Sequence, residues 1–184
     1  MDKIKSPLIQ GHKISFADAT VNDAKFILSL RTDDQKSRFL SKTNADIIAQ
    51  KQWLEAYAKD SSQAYFIIND YNGDKIGTVR LYDIQESSFC WGSWILADNA
   101  PVHASIESAL IVYSYALGLG FDQAHFSVRK ENVSVFRFHE RFGAIKISEN
   151  NEDYFYTIDK DSIKKSLNKY SKYLPDGITI YGRE

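Results

Sequence analysis

With one cysteine in 184 residues, Cys90, the chain cannot close an internal disulfide. Its net charge is −1, which offers no electrostatic grip on nucleic acid or on an anionic membrane. No apolar run approaches the ~20 residues that cross a bilayer. The stretch Met1 to Gln10 is mixed polar and lacks the apolar core of a secretion signal. The four histidines have no metal-ligand spacing, so no metal site is expected. Internal repeats, low-complexity tracts and linkers are also missing. These absences predict a cytoplasmic protein with a single domain over residues 1–184, ending in a helix and tail over 161–184.

What is present suits a folded domain with a sizeable core. Hydrophobic residues make up 43% and charged residues 26%, both ordinary for a globular chain. Aromatics are plentiful at 14%, which fits a large core or a ligand cleft.

The chain alternates between strand-like and helix-like patterns. Residues 13–16 alternate as a first strand. Thr20 and Asp23 form an acidic variant of the capping box. The helix after them has Ala24, Ile27, Leu28 and Leu30 as its apolar stripe and ends near Arg31. Residues 31–43 are polar and predict a loop over or beside a cleft. A second helix covers 46–59, with Ile47, Ile48, Trp53, Leu54 and Tyr57 as apolar positions.

Ala64–Asn69 is an aromatic and β-branched strand. Asn72 and Gly73 signal a hairpin, because both tolerate positive φ. Strands follow over 75–82 and Ser88–Leu96. A long helix over 102–119 shows Ile106, Ala109, Leu110, Tyr113, Ala116 and Leu117 on one face, and Gly118 and Gly120 stop it. A strand at 124–129, a helix at Val133–Arg141, hairpin strands at 144–148 and 153–158 and an amphipathic helix at 161–173 complete the chain, before a tail over 175–184. The predicted class is α/β, with a mixed, mostly antiparallel central sheet flanked by helices.

The stretch Phe126-Ser-Val-Arg-Lys-Glu-Asn132, followed by the helix to Gly143, is the most specific pattern. With the element order over roughly residues 12–160, it resembles the GCN5-related N-acetyltransferase (GNAT) family. There an Asn follows the fifth strand, an aromatic hydroxyl comes seven residues later, and a Lys-x-Gly-Phe segment closes the helix. Asn132 takes the Asn position, His139 the hydroxyl position, Arg141 the Lys position and Gly143 the Gly position.

The resemblance implies transfer of an acetyl group from acetyl-CoA to a primary amine by direct attack. Splayed fourth and fifth strands would hold the pantetheine arm, with Trp94, Ile95, Leu96 and Ala97 as the fourth-strand backbone beside it. The diphosphate would meet the N-terminus of the long helix. The family pattern Arg/Gln-x-x-Gly-x-Gly/Ala falls on Val102, His103, Ala104, Ser105, Ile106 and Glu107. Val102, Ser105 and Glu107 depart from it, so Ser105 and His103 are the available donors. Asn132 would reach the pantetheine, or simply cap its helix. Phe136 and Phe138 would be core or cofactor wall. Arg129, Lys130, Arg137 and Arg141 are within the segment that could reach a ribose phosphate, or form a solvated face.

His139 is the candidate proton donor to the leaving thiolate, or a base through water. Glu107 is the leading carboxylate base, with Asp83 and Glu86 behind it. Cys90 reads as a buried small hydrophobe more readily than as an acyl-enzyme nucleophile. Acceptor-binding candidates are Arg31, Trp53, Tyr82 and Trp91, with Trp94 beside them. The segments Leu30-Arg31 and Gln52-Trp53-Leu54 look like the subgroup acting on nucleotide-linked amino sugars or on ribosomal-protein N-termini. A non-catalytic domain of this type stays open as a reading. So does a homodimer or other oligomer built on the stripe Ile163, Leu167, Tyr170 and Leu174.

Overall fold

In chain order the strands are β1 (Leu8–Gln10), β2 (Ser15–Asp18), β3 (Ala64–Asn69), β4 (Lys75–Gln85), β5 (Ser88–Leu96), β6 (Gln123–Arg129), β7 (Ile145–Glu149), β8 (Asp153–Asp159) and β9 (Thr179–Tyr181). The helices are α1 (Ala24–Arg31), α2 (Asp34–Ser37), α3 (Ile47–Lys59), α4 (Ala104–Gly118), α5 (Val133–Arg141) and α6 (Lys160–Lys169). The computed structural model describes residues 4–182. Residues 1–3 and 183–184, parts of the N-terminal and tail readings above, lie outside it.

The strands form one nine-stranded sheet in the order β7-β8-β6-β5-β4-β3-β2-β1-β9. Every neighbouring pair is antiparallel except β5 and β6. The sheet separates two helical layers. Phe66 and Ile68 of β3 point to the α4 side, where Phe66 meets Tyr115 edge-on at 5.9 Å. Tyr65 and Ile67 point to the other side, under α1 and α3, with Ala24, Ile27, Leu54 and Tyr57. Both faces of β3 are buried, which is why its sequence reads as a continuous apolar run.

The differences from expectation have local causes. The first predicted strand shifts to Ser15–Asp18 because the N–H groups of Lys13 and Ile14 are taken by the Glu107 carboxylate, at 2.7 and 3.1 Å. β1 and β9, each of three residues, pair Ile9 with Ile180 and turn part of the predicted tail into a sheet edge. In the hairpin at Asn72-Gly73 only Gly73 has positive φ (+85°). The Asp70 carboxylate closes that turn by accepting from the N–H groups of Asn72 and Asp74. The loop after α1 contains α2, capped by Asp33 and tied by Lys36 to Asp98 beyond β5.

The C-terminal stripe packs inward. Ile163 is 1% exposed, Leu174 is buried, and Tyr170 stacks on Phe142 at 4.9 Å. That stripe helps close the core of its own chain. Among the described residues no helix is long and apolar enough to cross a membrane.

Candidate active site

The parallel pairing of β5 with β6 is short. It runs Ser88 to Gln123, Phe89 to Ala124 and Cys90 to His125, then stops, although β5 continues to Leu96 and β6 to Arg129. A bulge in β5 marks the separation. Thr78 of β4 faces Ile95 and Arg80 faces Gly92, so β5 has an extra residue over this stretch. Ser93, inside the bulge, has φ +46°. Such a bulge bends the strand and increases its twist. Here it carries the end of β5 away from β6. Two bonds hold it: Thr78 Oγ1 donates to Ser93 O at 2.9 Å, and Arg31 Nη1 donates to Ser93 Oγ at 3.3 Å. The facing edges of the two strands are left unpaired, and an extended ligand can add to them as a strand does.

The gap is a cavity of about 100 Å³ with aromatic walls: Trp91, Trp94 and Phe126, with Phe39 and Leu40 from the α2 loop. Asn132 and His139 line it. The His139 ring lies 4.2 Å from Phe126 and 5.2 Å from Trp91 between centroids. Its Nδ1 is buried without a partner. Burial pushes its pKa down to about 3, so the imidazole is neutral. A neutral imidazole offers one N–H donor and one lone pair.

Asn132 does not use its side chain as a cap. Its carbonyl accepts from Val135 and Phe136, at 3.2 and 3.1 Å, and no side-chain cap bond is formed. Gly143, at φ +102°, ends α5 as read. Two other expected cofactor residues lie apart from the gap. Phe136 packs edge-on against Tyr154 at 5.3 Å, and Arg141 is exposed on the end of α5.

The start of α4 presents free donors. Ala104 N bonds Pro101 O and Glu107 N bonds His103 O, whereas the N–H groups of Ser105 and Ile106 meet no backbone carbonyl. Val102 is 98% exposed beside them. Ile95 and Leu96 face Thr78 and Gly77 of β4, and Ala97 N bonds Ile76 O, so these residues continue β5 past the bulge.

The carboxylate candidates lie elsewhere. Glu107 is 1% exposed and binds the Lys13 and Ile14 N–H groups, with His103 Nδ1 3.3 Å from its other oxygen. It locks α4 to the turn between β1 and β2 and does not line the gap. Asp83 lies near the end of β4 and Glu86 in the turn that follows, both at positive φ. Asp83 contacts His125, which contacts Ser88. These groups, with Tyr82 and Cys90, line a groove of about 750 Å³ on the uncovered face of the sheet. Burial raises the Cys90 thiol pKa. No group of three or more His, Cys, Asp or Glu among the described residues can hold a metal.

A second compartment, of about 270 Å³, shares Ser93 with the gap. Arg31, Lys42, Gln50, Trp53, Tyr65 and Arg80 line it, and through Arg31 and residues 41–43 it adjoins a wider crevice of about 850 Å³. Arg31 and Trp53 lie here as expected. Trp91 does not: it is 4% exposed, donates to Tyr113 Oη and forms the gap wall. Tyr82 carries the Arg80 guanidinium at 4.6 Å from its ring. Sequence reasoning missed Arg80 and Tyr65. Alternation with Tyr82 along β4 is the signal that places Arg80 on this face.

Residues 14–145 match the family model described as "Acetyltransferase (GNAT) domain". The chain belongs to the GNAT acetyltransferase family. As such it is an acetyl-transferring enzyme. Among solved structures this GNAT is similar to FdhC in its apo form, described as a nucleotide-linked sugar GNAT. The two are 40% identical over 90% of this chain and 97% of that one, with a TM-score of 0.82. It is also similar to spermidine N-acetyltransferase from Vibrio cholerae in complex with CoA and spermine, at 14% identity, 83% and 98% coverage and a TM-score of 0.75. A GCN5-related N-acetyltransferase from Brucella melitensis gives 16% identity, 92% and 86% coverage and a TM-score of 0.75. These last two share the fold. No curated protein matches the chain.

Proposed function

We propose that this GNAT moves an acetyl group from acetyl-CoA to the primary amine of an amino sugar carried on a nucleotide, by direct attack in a ternary complex. The observation that carries this reading is the junction at Ser93, which lines both the aromatic-walled gap between β5 and β6 and a separate cationic pocket. When bound, acetyl-CoA supplies the thioester on which the amine acts. The unpaired edges of β5 and β6 suit its pantetheine arm, and the Ser105 and Ile106 N–H groups suit its diphosphate. Asn132 reaches the same gap with an uncommitted amide.

Two further features support direct transfer. Cys90 lines the opposite groove rather than the gap, so no thiol is placed to take the acyl group. No carboxylate lines the gap or the pocket, while Arg31, Lys42 and Arg80 line the pocket. Nearby positive charge disfavours an ammonium, so the acceptor amine is held neutral without a dedicated base. Neutral His139 can direct its N–H toward the departing sulfur, while the proton released by the attacking amine as the C–N bond forms and the C–S bond breaks ends on the thiol of CoA.

The sugar-nucleotide acceptor is supported by the 40% identity to FdhC across nearly the whole of both chains. Protein N-termini are the other acceptor class to test. Release of free CoA thiol is the assay, with nucleotide-linked amino sugars, spermidine and an N-terminal peptide offered in turn. Turnover is expected with the amino sugars. Turnover confined to spermidine or the peptide rejects this acceptor. A cytoplasmic location fits such a substrate.

A further inference from the structure

The pocket beside Ser93 has a one-sided charge balance. Arg31, Lys42 and Arg80 line it, and no Asp or Glu does. Arg31 is largely committed to the fold: its Nε donates to Thr43 Oγ1 at 2.6 Å, its Nη1 to Ser93, and its Nη2 to Ser41. It pins the loop to the bulge and contributes mainly charge.

Arg80 is arranged differently. Its Nε donates to Gln63 Oε1 at 2.6 Å, and its guanidinium lies 5.4 Å from the Trp53 ring and 4.6 Å from the Tyr82 ring. These contacts fix the plane of the group. Its terminal N–H groups meet no acceptor among the described residues. Tyr65, the cross-strand neighbour of Arg80, is 3% exposed, and its hydroxyl interacts with the Thr78 and Arg31 side chains beside the pocket. An oriented guanidinium fork and a buried hydroxyl lining one small pocket suit a ligand rich in acceptor oxygens.

We propose that Arg80 and Tyr65, assisted by the charges of Arg31 and Lys42, form a phosphoryl-binding subsite for the acceptor. This subsite selects a nucleotide-linked amine and rejects a polyamine, whose like charges it repels. The proposal rests on the acceptor reading given above. The pocket of about 270 Å³ is small for a whole sugar nucleotide, and the adjoining crevice of about 850 Å³ gives the remainder room.

The test is calorimetric titration of the CoA-saturated protein with uridine diphosphate, so that the cofactor's own diphosphate site is already filled. Arg80→Met should weaken binding at least tenfold, Arg80→Lys by less, and Tyr65→Phe threefold or more. Lys146→Met, on the far hairpin, should change nothing. CoA-induced stabilisation must be equal in all variants, and Arg80→Lys with Tyr65→Phe keeps the test intact where Arg80→Met folds poorly. Absence of binding to the wild type at millimolar ligand, or unchanged binding in Arg80→Met and Tyr65→Phe, overturns the subsite. The acceptor reading fails separately. If amino-sugar nucleotides are acetylated with the same KM by Arg80→Met, the subsite is wrong and the acceptor right. If Arg80-dependent diphosphate binding occurs but no such sugar is acetylated, the subsite is right and the acceptor wrong.

Discussion

On the β6 side of Ser93 the walls are Trp91, Trp94, Phe126 and a neutral His139; on the α3 side they are Arg31, Lys42, Arg80 and the Tyr65 hydroxyl. The first set is continuous with the core. Trp91 packs on Tyr113 at 5.6 Å and Phe126 stacks on Tyr156 at 5.8 Å. The second set comes from the end of α1, the loop after α2, and β3 and β4, and its charges line an open pocket. A thioester is best handled where water is scarce, and a charged acceptor is best recognised by oriented donors. The difference teaches that stability and acceptor choice are written on different sides of one bulge, so they should separate under mutation.

The largest separation should come from Trp91→Ala. Removing a buried aromatic that holds both the core and the gap wall should cost about 3–5 kcal/mol, read as a drop in the denaturant midpoint at unchanged m-value. A loss below 1 kcal/mol would mean the wall is not part of the core. Arg80→Met should do the reverse. We expect the acceptor KM to rise tenfold or more, about 1.4 kcal/mol, with a much smaller shift of the melting temperature than Trp91→Ala. Equal stability losses in the two variants would erase the contrast.

His139 sharpens the same contrast through pH. Its pKa lies near 6.5 in the unfolded chain and about 3 in the folded one. Between those values the unfolded state binds the extra proton, so stability rises with pH in this window and is lost as pH falls through it. The slope from this group approaches 1.4 kcal/mol per pH unit. In His139→Phe the fall in stability from pH 6 to pH 4 should be shallower than in the wild type. Parallel curves would show that the imidazole is not desolvated. The kcat profile of the wild type between pH 6 and 9 should carry no limb from this group.

Much of the fold was legible in the sequence. β3, β5 and α5 have the predicted bounds, because each is a long run with one clear periodicity and defined stops. β1 and β9 were not legible, since three residues cannot display alternation. The site was legible in part. Asn132 and His139 follow from a motif with fixed spacing on one helix. The bulge at Ser93 has no sequence mark, because a serine at positive φ is held there by Thr78 and Arg31 from other elements. Glu107 read as a candidate base because nothing local reveals that Lys13 and Ile14, more than 90 residues away, point their N–H groups at it.

The smallest expected effect on stability is the most pointed one. Asn132 stands where a helix cap is normal, and loss of a side-chain cap typically costs about 1 kcal/mol. Here that bond is not made, and the helix start is held by the Asn132 carbonyl, which any residue provides. The amide lines the gap instead. Asn132→Ala should therefore change folding stability by less than about 0.5 kcal/mol, while the thermal shift produced by acetyl-CoA shrinks clearly. A loss of about 1 kcal/mol with an unchanged acetyl-CoA shift would return Asn132 to a capping role and remove it from the cofactor gap. The first result would mean that the dry compartment also keeps residues whose only work is binding, and the boundary between fold and function would then run through the gap as well as along Ser93.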